Sequence, residues 1–169
     1  ESLPDGLTIA LARDGQLQTP DGRRMVRIDK QYVFGHHDPA IQVVYNVSNR
    51  YTDPIRTRFG IELTLNVDSS QSRDRYCSFG DNRRIILNRH GHREQTDEIR
   101  YRLEDVGVEV MLRCSDPADL YYFPVEIPVR TQEGVQRAFQ GTCLILTWGL
   151  ELWGEEKQRF DFTFTTHRI

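Results

Sequence analysis

The sequence predicts an all-β fold, an antiparallel β-sandwich, and three observations predict it. Long runs alternate apolar and polar residues, the period of two that turns one strand face to a core and the other to water. Short polar segments rich in Gly, Pro, Asp and Asn separate these runs. No segment of roughly 10–15 residues carries the spacing of an amphipathic helix. Residues 121–152 show all three most plainly. An extended run over 121–129 enters a polar connection over 131–134, which leads through Ala138-Phe139-Gln140-Gly141 into an apolar run over 143–152.

Taken in order, residues 7–12 and 23–29 read as short strands. They flank turns at Arg13-Asp14-Gly15 and Thr19-Pro20-Asp21-Gly22, whose Asp-Gly pairs supply the positive φ of tight hairpins. Residues 32–39, with Gly35, His36, His37 and Asp38, read as a loop. Ile41, Val43, Tyr45 and Val47 then share one strand face, and Gln42, Asn46 and Ser48 the other. After a polar turn over 49–54 comes the cleanest strand. Phe59, Ile61, Leu63, Leu65 and Val67 point inward, while Gly60, Glu62, Thr64, Asn66 and Asp68 point outward. A polar second face of this length belongs to an antiparallel sheet open to water or ligand.

Residues 69–75 form a charged, Ser-rich loop in this reading, and 84–88, 98–104 and 108–113 are three more strands. In 98–104, Ile99, Tyr101 and Leu103 alternate with Arg100, Arg102 and Glu104, which favours a strand over a helix. Residues 115–119 read as a loop. The terminal run over 159–167 sets Phe160, Phe162 and Phe164 against Asp161, Thr163 and Thr165, a strand burying three phenylalanines. The total is about ten strands in one domain spanning 1–169.

Composition excludes several classes. A net charge of −3 lacks the clustered positive charge that displaces counterions from nucleic acid. No apolar run approaches the ~18 residues of a membrane span. Cys77, Cys114 and Cys143 are odd in number and widely spaced, as expected of reduced thiols in the cytoplasm. The first residue, Glu1, suits a processed chain or a domain cut from a longer polypeptide.

Candidate chemistry is sparse. His90-Gly91-His92 with His36 or His37 offers metal ligands, but no Cys-x-x-Cys or His-Glu-x-x-His spacing supports them, and the favoured reading is a polar turn. His36-His37-Asp38 with Glu62 offers the imidazole and carboxylate of a mutarotase-type epimerase. Glu62 with Glu126 or Glu133 offers a glycosidase pair, though chance pairs are expected among 25 acids. Nucleophilic-serine, Walker and dinucleotide fingerprints are missing, so neither catalytic residues nor a cofactor is expected. Trp148 shares a face with Leu144, Leu146, Leu150 and Leu152 and belongs to the core. Trp153, past the strand and before Gly154, is the exposed tryptophan. With Glu62, Asn66 and Gln140 it makes a candidate sugar-contacting set, aromatic body beside hydrogen-bonding rim.

Two stretches in order, Val43-Val44-Tyr45-Asn46-Val47-Ser48-Asn49 and Phe59-Gly60-Ile61-Glu62-Leu63-Thr64-Leu65, carry a family pattern. It continues through Glu126-Ile127-Pro128-Val129, Gln132-Glu133-Gly134-Val135, Phe139-Gln140-Gly141 and Leu146-Thr147-Trp148. From about Ala40 onward the chain resembles the carboxy-terminal domain of family 57 glycoside hydrolases, the α-amylase and 4-α-glucanotransferase group. The resemblance implies a galactose-mutarotase-like supersandwich appended to a catalytic (β/α) barrel. That barrel would hold the catalytic carboxylates, and this chain matches none of its motifs. It further implies a non-catalytic accessory role, with the barrel of the same polypeptide as partner and an α-glucan as substrate of the whole. Two alternatives are a carbohydrate-binding module for α-glucan and a free-standing aldose epimerase.

Overall fold

A computed structural model describes residues 2–3, 6–36, 39–65, 74–81 and 83–169. Among these residues there are ten strands and no helix. They are β1 (Ser2–Leu3), β2 (Gly6–Thr19), β3 (Gly22–Gly35), β4 (Ile41–Asn49) and β5 (Ile55–Leu65), then β6 (Arg75–Ser78), β7 (Gly91–Leu103), β8 (Val108–Thr131), β9 (Gly134–Leu152) and β10 (Lys157–Arg168). The pairings β1–β2, β2–β3, β3–β4, β4–β10, β6–β7 and β8–β9 are all antiparallel. The residues gather into two compact units. The first comprises Glu1–Phe59, Leu112–Asp116 and Trp148–Thr166, the second Gly60–Met111, Pro117–Thr147 and His167–Ile169.

The first unit is built on the ladder β2–β3–β4–β10. Hairpin β2–β3 keeps register from Gly6↔Gly35 to Thr19↔Gly22 and turns on Pro20-Asp21 alone. Gly22 at φ +116° supplies the conformation the turn requires, and Thr19 Oγ1 donates to the Gly22 carbonyl at 2.7 Å. The turn expected at Arg13-Asp14-Gly15 does not form. Those residues continue β2, with Asp14 directly opposite Arg27 in an ion pair of 3.4 Å that Asp29 extends at 3.0 Å. The loop expected over 32–39 is likewise strand as far as Gly35, because Tyr32, Val33 and Phe34 pair with Val43, Gln42 and Ile41.

Register places Tyr45 opposite Phe160 and Val43 opposite Phe162, so the alternation read in both strands points one way. Phe59 lies 4.8 Å from Phe160 between ring centroids, and Trp148 lies 5.2 Å from it. Tyr45 meets Phe59 edge-on at 5.5 Å. Stacked and tilted rings at these separations add to the apolar area they bury. Phe160, Phe162 and Trp148 are buried as expected, and Phe164 is half-buried.

The second unit buries Ile61, Ile99, Tyr101, Leu120, Leu144 and Leu146. The burial pattern of β5 follows the alternation read from the sequence as far as Leu65, while Asn66, Val67, Asp68 and residues 69–73 lie outside the described residues. Residues 84–88 do not make a strand. A single bridge joins Ile85 to Cys77, and buried Leu87 offers its carbonyl to Thr142 Oγ1 at 3.1 Å. Residues 115–119 are not a loop but the middle of β8, where Ala118 and Leu120 are buried and Asp119 pairs with Thr147.

Hairpin β8–β9 turns on Gln132-Glu133, with Gly134 at φ +119°. Its ladder shifts between Val125, opposite Gly141, and Glu126, opposite Phe139. Gln140 is the extra residue of this β-bulge. Pro124 and Pro128 sit opposite Thr142 and Arg137.

Candidate functional site

Glu62 stands on the exposed face of β5, where the alternation puts it. Its carboxylate accepts a hydrogen bond from the Cys143 thiol. Burial, reinforced by the charge and hydrogen bond of Glu62, raises the Cys143 pKa, so this sulfur stays protonated and unreactive. Gln140, exposed at the bulge, donates from Nε2 to the Phe139 carbonyl at 3.3 Å. Both residues belong to the second unit.

Trp153 belongs to the first unit and is 54% exposed, as the sequence reading expected. Its backbone is held while the residue stays half exposed. The Trp153 amide donates to Glu156 Oε2 at 2.9 Å, and its carbonyl accepts from Asn49 Nδ2 at 3.2 Å. The turn closes by Glu156 N–H to the Trp153 carbonyl at 3.1 Å, with Glu155 at φ +62°. Asn66, the fourth member of the expected set, lies outside the described residues.

Asn49 is the residue that sequence reasoning missed. It is fully buried, and its Nδ2 faces the carbonyls of Asp53 at 2.8 Å, Trp153 at 3.2 Å and Leu152 at 3.3 Å. Its Oδ1 accepts the Tyr51 amide at 2.9 Å. One amide group thus ties the turn after β4 to the turn after β9. The available signal was only an Asn opening a polar turn, a common position.

Two histidines of the second unit stack on aromatic rings. His92 stacks on Tyr121 at 4.3 Å and His90 on Phe123 at 6.1 Å. His36 is exposed; His37 and Asp38 lie outside the described residues. Among the described residues no group of three or more His, Cys, Asp or Glu is placed to hold a metal ion. Glu126 is paired with Arg137 at 3.4 Å, and Glu133 accepts from Gln136 at 3.2 Å.

Shallow concavities lie among the described residues, and two of them border polar side chains of interest. In the second unit a space of about 460 Å³ lies beside Pro124, Ile127 and Pro128, rimmed by His90, Glu126 and Arg137. In the first unit one of about 440 Å³ opens where Ala10 and Ala12 leave room beside Asp29, Asn46, Ser48 and Lys157. These side chains offer hydrogen bonds, charge and ring faces, the means of holding a polar ligand or a protein surface.

Comparison with known proteins follows the same lines. The family model described as alpha-amylase/4-alpha-glucanotransferase, C-terminal, matches residues 4–164. Alpha-amylase 1 of Dictyoglomus thermophilum is 27% identical over 123 residues, which cover 73% of this chain and 18% of that enzyme. The crystal structure of 4-alpha-glucanotransferase from Thermococcus litoralis superposes on all of this chain with a TM-score of 0.70 and 16% identity, over 22% of its own length. A putative aldose 1-epimerase from Escherichia coli K12 superposes on all of it with a TM-score of 0.74 and 12% identity, over 67% of its length. The fold is therefore the galactose-mutarotase-like β-sandwich. The chain spans less than a quarter of the amylase and glucanotransferase it matches.

Proposed function

Since the chain belongs to the alpha-amylase/4-alpha-glucanotransferase C-terminal domain family, we propose that it is the non-catalytic accessory β-sandwich domain of an α-glucan-processing enzyme, packing on a catalytic barrel of the same polypeptide. One observation carries the reading. The family match takes in nearly the whole chain, yet the chain corresponds to only 18% of the amylase and 22% of the glucanotransferase. Most of such an enzyme lies elsewhere, and the bond-breaking carboxylates with it. The likeness to an aldose epimerase carries the fold and no activity. The three buried cysteines form no disulfide, which fits a reducing cytoplasm. Incubated with maltooligosaccharides, the 169-residue chain will neither release reducing ends nor redistribute chain lengths, whereas the polypeptide its gene encodes will do one or the other. Turnover by the 169-residue chain alone refutes the reading.

Exposed Trp153, braced by Asn49 and Glu156, favours a second role in which the domain contacts α-glucan directly. Glu62, Asn66 and Gln140 are the polar candidates for the same role. Maltooligosaccharide should then shift tryptophan fluorescence in the intact protein but not in Trp153→Phe. An unchanged spectrum at millimolar sugar rules this role out.

A further inference from the structure

The first half of strand β2 carries its large apolar side chains on one face. Leu7, Ile9 and Leu11 alternate with Thr8, Ala10 and Ala12, and the three large side chains are 47%, 43% and 54% exposed. Register identifies the face they stand on. Leu7 opposes Phe34, Ile9 opposes Tyr32 and Leu11 opposes Lys30; those three in turn oppose Ile41, Val43 and Tyr45 of β4. Val43 and Tyr45 lie opposite Phe162 and Phe160 in the buried aromatic cluster. The core face of the first unit's sheet therefore runs on from β10 through β4 and half-buried Tyr32 and Phe34 to an uncovered row on β2, with Lys30 standing on it opposite Leu11, its ammonium over the Tyr32 and Tyr45 rings. Alternation of this kind is the pattern of a strand covered on one side, and an exposed row that continues a core marks a contact surface.

Resting on the accessory-domain reading, we infer that the Leu7–Ile9–Leu11 row with Tyr32 and Phe34 is where the catalytic part of the same polypeptide seats on this domain. The first described residues lie beside one end of this row, since β1 pairs with β2 through Ser2↔Leu7 and Leu3↔Gly6. The family's domain is carboxy-terminal, so the remainder of such relatives precedes it in sequence. Size separates this occupant from a second copy. Three half-exposed side chains offer a few hundred Å² at most, well short of the ~800 Å² per partner of a stable complex between separate chains. A covalently joined domain needs far less, because its effective concentration is already high.

Thiol accessibility tests this directly, because Cys77, Cys114 and Cys143 are buried and give a quiet background. Leu11→Cys and, on the opposite face of the same strand, Ala12→Cys are each made in the 169-residue chain and in the polypeptide its gene encodes, and labelled with a maleimide under native conditions. Far-UV circular dichroism confirms that each variant is folded. Both sites should label rapidly in the 169-residue chain. In the long polypeptide Leu11→Cys should label on the order of tenfold more slowly, while Ala12→Cys keeps its rate. Equal labelling of Leu11→Cys in both contexts overturns the assignment, and does so even where the long polypeptide is an active glucan enzyme. Equal slowing at both sites overturns the choice of face. Slow Leu11→Cys labelling in the 169-residue chain together with a dimer by sedimentation assigns the row to a second copy instead. A gene encoding no catalytic domain defeats the accessory reading itself, and that result is read from its sequence rather than from the labelling.

Discussion

Asn49 gives the most demanding test of how the first unit is held together. Truncation in Asn49→Ala removes two N–H donors that serve the carbonyls of Asp53, Leu152 and Trp153, and one acceptor that serves Tyr51. Three hydrogen bonds at about 1 kcal/mol net each, in a fully buried site where stranded carbonyls cost more, predict a loss of about 3 kcal/mol or somewhat above. With a urea slope of about 2 kcal/mol per molar, the unfolding midpoint should fall by about 1.5 M. Asn49→Asp conserves the volume but points carboxylate lone pairs at carbonyl oxygens, so it should be worse than Asn49→Ala at pH 7. Burial and those carbonyls would raise the folded pKa of the new carboxyl above its unfolded value of about 4. The sign follows. The proton binds more tightly in the folded state, so N49D is least handicapped near pH 4 and loses stability as pH rises toward 7. Urea unfolding followed by far-UV circular dichroism at both pH values, with N49A as reference at each, measures the difference. A midpoint shift in N49A below about 0.3 M, or N49D tracking N49A at both pH values, refutes the reasoning.

Asp161 titrates with the opposite sign. Burial alone would raise its pKa, but hydrogen bonds from Ser115, Arg159 and Gln42 outweigh it and leave the value lowered. Its stabilisation is present above about pH 4 and is lost as pH falls through the lower folded value, so the gap between wild type and Asp161→Asn should be constant from pH 5 to 8 and shrink below 4; a gap that widens in acid contradicts this. Phe160→Ala, which deletes a ring 2% exposed between Phe59 and Trp148, should cost about 3–5 kcal/mol in guanidinium unfolding, and half-buried Phe164→Ala clearly less; equal losses would remove the cluster as an explanation. In Gly154→Ala the new methyl would stand 2.7 Å from the Thr52 backbone oxygen, which predicts a cost of about 1–3 kcal/mol and a drop in Tm of several degrees; an unchanged Tm would show that the turn yields freely.

Strands were legible where one face is buried and the other is wet. In β4, β5 and β10 the alternation alone placed Val43, Ile61 and Phe160 in the core, because period two is a direct record of sidedness. Family membership was legible too, from motifs spread over those same strands. Reading failed where local chemistry and long-range pairing disagreed. Arg13-Asp14-Gly15 has turn composition, but Asp14 finds Arg27 across the ladder and the hairpin closes five residues later. The Ser115-Asp116-Pro117 stretch looks like a loop, yet Trp148 Nε1 donates to the Asp116 carbonyl at 3.1 Å and Ser115 Oγ to Asp161 at 2.6 Å, pairings invisible along the chain. Asn49 went unseen for a related reason, since its partners Leu152 and Trp153 lie a hundred residues away. Gln140 was read as part of the segment leading into the apolar run over 143–152, whereas it is the bulge within one strand, and a bulge cannot be inferred from one strand alone.

The two prolines of β8 have a consequence for behaviour in solution. A proline nitrogen carries no hydrogen, so within the ladder to β9 it is tolerated only where that nitrogen points away from the partner. Pro124 and Pro128 therefore both leave gaps on the side of β8 that faces away from β9. An incoming extended peptide would find two missing donors within five residues there. The hairpin can project into water with Ile127 and Val129 uncovered and still refuse to template a new strand, which protects the protein from polymerising through its own arm.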